Sequence, residues 1–245
     1  MKADMGKILC IGASTYNEET PNQINDALIK TDFLDEWAVI IAIHNYFRLY
    51  APNICEIKQT ILSKHFESSP VTLVDQVQDY VVQSGNIYVL PDSMYCQEKQ
   101  ICTKIEEKNQ SIIIMPSNSE NSISETFQWI EKRSSCSRNL DDDYYLPCID
   151  KTMTELSQIK LQKSAGLILA GMGKDGAEGL TNIAKFGGHI AIQNPDECFA
   201  ERAKKKDTSS MPREAIKQAT KNKVHYQTVE LNQQSSLVSW LQSIK

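Results

Sequence analysis

The sequence predicts an α/β fold, a doubly wound, mostly parallel sheet with a β-ribbon insertion, in a single domain over residues 1–245. Three observations carry this prediction. Short runs rich in Ile and Val alternate with longer amphipathic stretches, the signature of βαβ units. Residues 38–43 (AVIIAI) are apolar at every position, as a central strand covered on both faces must be. A polar interval at 116–146 holds too few apolar residues for a core of its own, so it interrupts one domain rather than opening a second.

Each element has its own local reason. Residues 7–11 (KILCI) form a first strand that runs into Gly12-Ala13-Ser14. Pro21 and Asn22 open a helix that turns Ile24, Ala27, Leu28 and Phe33 inward. The apolar strand 38–43 follows, and Pro52 begins a helix with Ile57, Ile61 and Leu62 on its buried side. Residues 71–74 and 87–90 read as strands and 93–115 as a β-ribbon. The excursion 116–146 is rich in Ser, Asn, Asp and Arg, carries Asp141-Asp142-Asp143, and is interrupted by a short helix around Phe127 to Ile130. Alternation then resumes: helix 149–163, strand 166–170, helix 177–186 and strand 189–193. A helix from Pro212, a short strand near 224–229 and a terminal helix 231–243 complete the chain. Lys204-Lys205-Lys206 reads as solvated loop, and there is no internal repeat.

Size and charge exclude several classes. At roughly 150 residues per domain, 245 residues amount to about 1.6 domains, enough for a core without disulfide or metal staples. Lys and Arg number 26 against 31 Asp and Glu, a net charge of −5. Such a surface offers no overall positive field to gather nucleic acid or anionic lipid. The longest apolar runs, Trp37 to Ile43 and Ala165 to Ala170, fall far short of the roughly 18–20 residues of a bilayer span. The apolar stretch Ile8 to Ile11 is likewise too brief for a signal peptide. No membrane insertion and a cytoplasmic location are therefore expected. The seven cysteines are odd in number, irregularly spaced and without a C-x-x-C pair, which argues against a disulfide framework or a zinc ribbon. His44, His65, His189 and His225 stand too far apart for an H-E-x-x-H or H-x-H site, so no metal is expected.

Ligands of open parallel α/β sheets bind beyond the carboxyl ends of the strands. That rule selects the loops 12–20, 44–52 and 171–176, which carry Ser14, His44 and Asp175. A serine hydroxyl needs a positioned base to become a nucleophile, and a carboxylate sets that base's tautomer. The three residue types required stand at three strand ends. Each also has a local structural explanation. Thr15 and Glu18 have capping-box spacing, Asp175 can cap the helix at 177 with Glu178 three positions on, and His44 can simply end its strand. Residues 171–176 (GMGKDG) also match G-x-G-x-x-G between a strand and a helix. A dinucleotide site wants an acidic residue about 20 positions on. This chain has Gln193 and Asn194 there, and Asp175 puts a carboxylate where pyrophosphate would lie, so nucleotide binding ranks third.

Residues 7–15 (KILCIGAST), His44 after its apolar strand and 167–176 (LILAGMGKDG) resemble the catalytic domain of the chemotaxis-receptor glutamate methylesterases, the CheB type. Residues 77–91 (VQDYVVQSGNIYVLP), 147–156 (PCIDKTMTEL), Gln193 to Cys198 and Met211-Pro212-Arg213-Glu214-Ala215 agree in order. The resemblance spans roughly residues 7–230, with insertions at about 116–145 and 200–210. It implies hydrolysis of γ-glutamyl methyl esters on the cytoplasmic helical bundle of chemoreceptors, and glutamine deamidation in many members. Ser14 then corresponds to the nucleophile, His44 to the general base and acid, and Asp175 to the carboxylate that orients His44. Thr15 and Met172 lie in the backbone that would supply oxyanion or substrate contacts. No cofactor is implied.

The departures are as specific as the matches. The family's Gly-Gly after Ser-Thr is replaced by Tyr16-Asn17, with Glu18-Glu19 beyond, which removes backbone freedom and adds charge beside Ser14. Ile43 replaces the usual Gln before the histidine, and Asn45-Tyr46-Phe47 the usual Met-Pro-Pro after it. These changes leave open a second function, a catalytically weakened module that docks in a chemosensory or other signalling complex. The family's receiver domain is also not expected, since the first strand begins near Lys7; the chain is then a stand-alone form, a fragment, or a protein controlled by a separate regulatory partner.

Overall fold

The computed structural model describes residues 6–14, 19–44, 64–74, 79–90, 102–108, 111–117, 148–159, 161, 163–198 and 210–245. Its centre is a seven-stranded sheet with all pairings parallel, in the order β10-β9-β8-β1-β2-β5-β3. These strands are β1 (Lys7–Ala13), β2 (Trp37–Ile43), β3 (Val71–Leu73), β5 (Ile87–Val89), β8 (Lys163–Ile168), β9 (His189–Gln193) and β10 (Gln227–Val229). β2 is buried along its whole length, as its unbroken apolar sequence demands.

Alternation along β1 sorts its side chains onto two faces. Leu9, Ile11 and Ala13 join the core under α1 (Thr20–Lys30) and α5 (Gln234–Ile244). Ile8 and Cys10 join the opposite core, under α2 (Ile149–Gln158), α3 (Ala177–Lys185) and α4 (Met211–Lys221). In α1, Pro21 stands in the first turn, and Ile24, Ala27 and Leu28 recur at helical spacing on the buried face. A small antiparallel sheet, β4 (Tyr80–Val81), β7 (Ser111–Ser117) and β6 (Cys102–Lys108), adds Ile105, Ile112 and Ile114 to the second core.

The predicted ribbon is thus present, but its hairpin runs on to Ser117 and gains β4 as a third strand. Other boundaries moved because distant groups intervene. α2 stops at Gln158, and β8 starts at Lys163 rather than at 166. The Lys163 ammonium donates to the carbonyls of Ile244 and Lys245 at 3.1 and 2.6 Å, anchoring the strand's start to the chain end. α5 starts at Gln234 rather than 231, because the Glu197 carboxylate takes the N–H groups of Leu231 and Asn232 at 2.7 and 3.1 Å. β10 covers only 227–229, since Val224 N–H is still bonded to Ala219 of the preceding helix end, at 3.1 Å. The helix expected from Pro52 lies outside the described residues as far as residue 63, and most of the two insertions, 118–147 and 199–209, lies outside them too.

α2 and α3 pack along one another, and Gly179 sets how close they come. A Cβ there would lie 2.5 Å from the Asp150 carbonyl oxygen and 2.7 Å from Met153 Cβ. Neither atom is the free end of a flexible side chain. Gly179→Ala gains about 1 kcal/mol of helix propensity but incurs an overpacking cost of about 1–3 kcal/mol. The expected result is a lower urea midpoint at unchanged m-value, and a midpoint at or above wild type would contradict the close approach.

Candidate active site

The strand order reverses beside β1. From β1 the chain winds outward through β2 on one side, and from β8 through β9 and β10 on the other. The crevice at the carboxyl ends of β8, β1 and β2 is therefore the switch point where such sheets bind ligands. Ser14, His44 and the loop 169–176 leave these three neighbouring strands. Backbone bonds continue the ladder past the strand ends: His44 N–H to Ala13 O at 2.8 Å, Ser14 N–H to Ala170 O at 3.0 Å, and Leu169 N–H to Gly12 O at 2.8 Å. With Ala13 in register with Ile43, the next residues, Ser14 and His44, leave the sheet side by side.

His44 is 6% exposed, and its Nε2 lies 2.9 Å from Asp175 Oδ2. Asp175 also accepts the N–H of Ile149 on Oδ2 at 3.0 Å and that of Asp150 on Oδ1 at 2.9 Å. Burial pushes its carboxyl pKa up, but the His44 bond and the two backbone N–H bonds outweigh this and hold it below the usual value. An ionised carboxylate can only accept, so His44 Nε2 carries the proton and Nδ1 is the basic nitrogen. Asp175 does not cap its own helix. Gly176 occupies that cap position at φ +90°, without a side-chain bond, and the carboxylate reaches instead to the first turn of α2. A Cβ on Gly176 would also meet Ile168 Cδ1 at 2.5 Å and Ile149 Cγ2 at 2.8 Å. Glycine is required there for conformation and for space.

Ser14 is half-buried, and its Cβ lies 2.7 Å from where a Gly171 side chain would begin. The first two glycines of GMGKDG thus have separate roles: Gly171 admits Ser14, while Gly173 takes φ +90° in open space. Met172 is 47% exposed at the crevice and bridges to Ser210, and Gly171 O accepts Met211 N–H at 2.9 Å. Thr15 lies outside the described residues.

Two supporting residues were not singled out from sequence. Gln193 is buried and accepts Ala170 N–H on Oε1 at 2.8 Å, behind the carbonyl that receives Ser14 N–H. Its position at the end of β9 was visible as the site of the missing ribose acid, but its amide partner was not. Asp150 accepts Gly179 N–H at 2.8 Å, a bond between helices that no local spacing signals.

Fold and crevice chemistry define the class: a doubly wound α/β domain with a His–Asp pair and a serine at its switch point. The family model described as CheB methylesterase matches residues 9–233, and the chain belongs to that family. The protein-glutamate methylesterase/protein-glutamine glutaminase 1 of Myxococcus xanthus (strain DK1622) is 37% identical over 54 residues, 22% of this chain and 16% of that protein. The protein-glutamate methylesterase/protein-glutamine glutaminase of Yersinia pestis bv. Antiqua (strain Antiqua) is 36% identical over 87 residues, 36% of this chain and 22% of that protein. The matched stretches thus span less than a quarter of these relatives. The crystal structure of the Thermotoga maritima CheB methylesterase catalytic domain superposes with TM-score 0.61 at 16% identity, covering 96% of this chain and 98% of that one. That likeness establishes the shared fold. No helix of the described residues is long and apolar enough to cross a membrane.

The Asp175 environment has a testable pH signature. Its folded pKa lies below the unfolded value of about 3.9, so the unfolded state binds more protons in acid. The stability it contributes is complete above the unfolded value and is lost as pH falls through the folded one. Urea unfolding of wild type against Asp175→Asn is therefore expected to show a constant gap above about pH 6 that narrows below about pH 4. A gap independent of pH across that window would contradict the assignment.

Proposed function

We propose that this chain is a serine esterase that hydrolyses γ-glutamyl methyl esters on the cytoplasmic helical bundle of chemoreceptors. The observation that carries this reading is the 2.9 Å His44–Asp175 bond beside the strand end that bears Ser14. Family membership and the names of the relatives support the substrate class.

In this mechanism Ser14 Oγ attacks the ester carbonyl carbon while its proton passes to His44 Nδ1. Asp175 holds the ring by Nε2–H and stabilises the imidazolium. The backbone N–H groups of Thr15 and Met172 are the proposed donors to the oxyanion, a role in which one donor is worth about 10²–10³ in rate. Collapse of the tetrahedral intermediate breaks the C–O bond, and methoxide leaves as methanol with the proton from His44. Water, deprotonated by His44, then attacks the acyl-enzyme, releasing glutamate and restoring Ser14. The same steps with ammonia as leaving group deamidate glutamine. No cofactor takes part.

Fluorophosphonate labelling and methanol release from methylated receptor test the proposal. Wild type is expected to label at Ser14, with labelling abolished in Ser14→Ala and His44→Ala. Asp175→Asn is expected to lose on the order of 10³–10⁴ in turnover through the wrong tautomer. Failure of wild type to label or to release methanol, with receptor binding retained, would favour the docking module suggested by Tyr16-Asn17 and Asn45-Tyr46-Phe47.

A further inference from the structure

The two helices that meet behind the crevice lack caps of their own. Cys148 stands at the N-cap of α2 and Gly176 at that of α3, and neither side chain bonds a backbone N–H of its helix. A helix start leaves several N–H groups without intrahelical partners. Here each helix is capped by a carboxylate that belongs to the other. Asp175, just ahead of α3, takes the N–H groups of Ile149 and Asp150 in α2. Asp150, in the first turn of α2, takes Gly179 N–H in α3 at 2.8 Å.

From this reciprocal capping we infer that Asp150 is a positioning residue. Its carboxylate pins the first turn of α3 to α2, so that Asp175, four residues before Gly179, keeps its carboxylate on His44. The absent side chain at Gly179 makes the bond reachable, since a Cβ there would fall 2.5 Å from the Asp150 carbonyl oxygen. Electrostatics alone would not choose an acid here. Burial pushes the Asp150 carboxyl up, the Gly179 N–H opposes that rise, and the nearby Asp175 charge adds to it. The hydrogen bond is what the position provides. The Asn182 Nδ2–Thr154 Oγ1 bond at 3.1 Å lies farther along the same helix pair and is the control for its packing.

The catalytic consequence rests on the proposed role of Asp175, whereas the geometry does not. The test therefore reads both, on the full chain at neutral pH. The first readout is the downfield imidazole Nε2–H resonance of His44, assigned by its loss in His44→Ala. The second is the rate at which a fluorophosphonate labels Ser14. Asp150→Ala is expected to lose or exchange-broaden the resonance and to slow labelling by about 10- to 100-fold, the scale of an ångström-level misplacement. Asp150→Asn keeps an acceptor for Gly179 N–H and is expected to retain both. Asn182→Ala is expected to lower Tm and leave both unchanged.

A folded Asp150→Ala protein with wild-type resonance and labelling overturns the inference. So does Asn182→Ala losing as much as Asp150→Ala, which would reduce the effect to loosened packing. Loss of the resonance in Asp150→Asn overturns it as well, by making charge rather than the cap responsible. Should Asp150→Ala fail to fold, this last comparison decides alone. If wild type and Asp175→Ala label alike, the hydrolytic reading fails, while the His44 resonance still decides the role of Asp150.

Discussion

A carboxylate drawn partly out of water must be met by donors, and Asp175 finds its donors on two other elements. His44 comes from the end of β2, and the Ile149 and Asp150 N–H groups from the start of α2. Three segments, one of them more than a hundred residues from the other two in sequence, are thereby pinned at one point. The surrounding packing is shaped to let them meet. A Cβ on Gly12 would strike Ile149 Cγ2 at 2.5 Å, and one on Gly176 would strike Ile168 and the same Ile149. Small residues on β1 and before α3 let Ile149, and with it the α2 N-terminus, sit against the sheet beneath the crevice.

The same charge shapes the chemistry nearby. Cys10, directly in β1, is fully buried, and burial with the neighbouring Asp175 pushes its thiol up to about 12. It remains a protonated core side chain. Cys198, beyond β9, is likewise pushed up to about 11, by burial first and then by Glu197.

Much of this was legible in the chain itself. The unbroken apolar run of β2, the alternation in β1 and Pro21 in the first turn of α1 are local facts, and the elements formed where those facts pointed. Boundaries failed where a remote group intervened, as Glu197 does at Leu231 and the chain end does at Lys163. The G-x-G-x-x-G spacing likewise had a local look of phosphate binding. Its glycines instead admit Ser14 at Gly171 and Ile149 and Ile168 at Gly176.

The sequence by itself determined which residues could stand at strand ends, because hydrophobic periodicity and turn chemistry are properties of neighbours a few positions apart. It therefore named Ser14, His44 and Asp175 as separate candidates in separate loops. Only the tertiary structure decided that β8, β1 and β2 are adjacent, that Asp175 bonds His44, and that it caps α2 rather than α3. Those choices depend on strand order and on helix–helix approach, which are set by burial over the whole sheet. No local spacing encodes them.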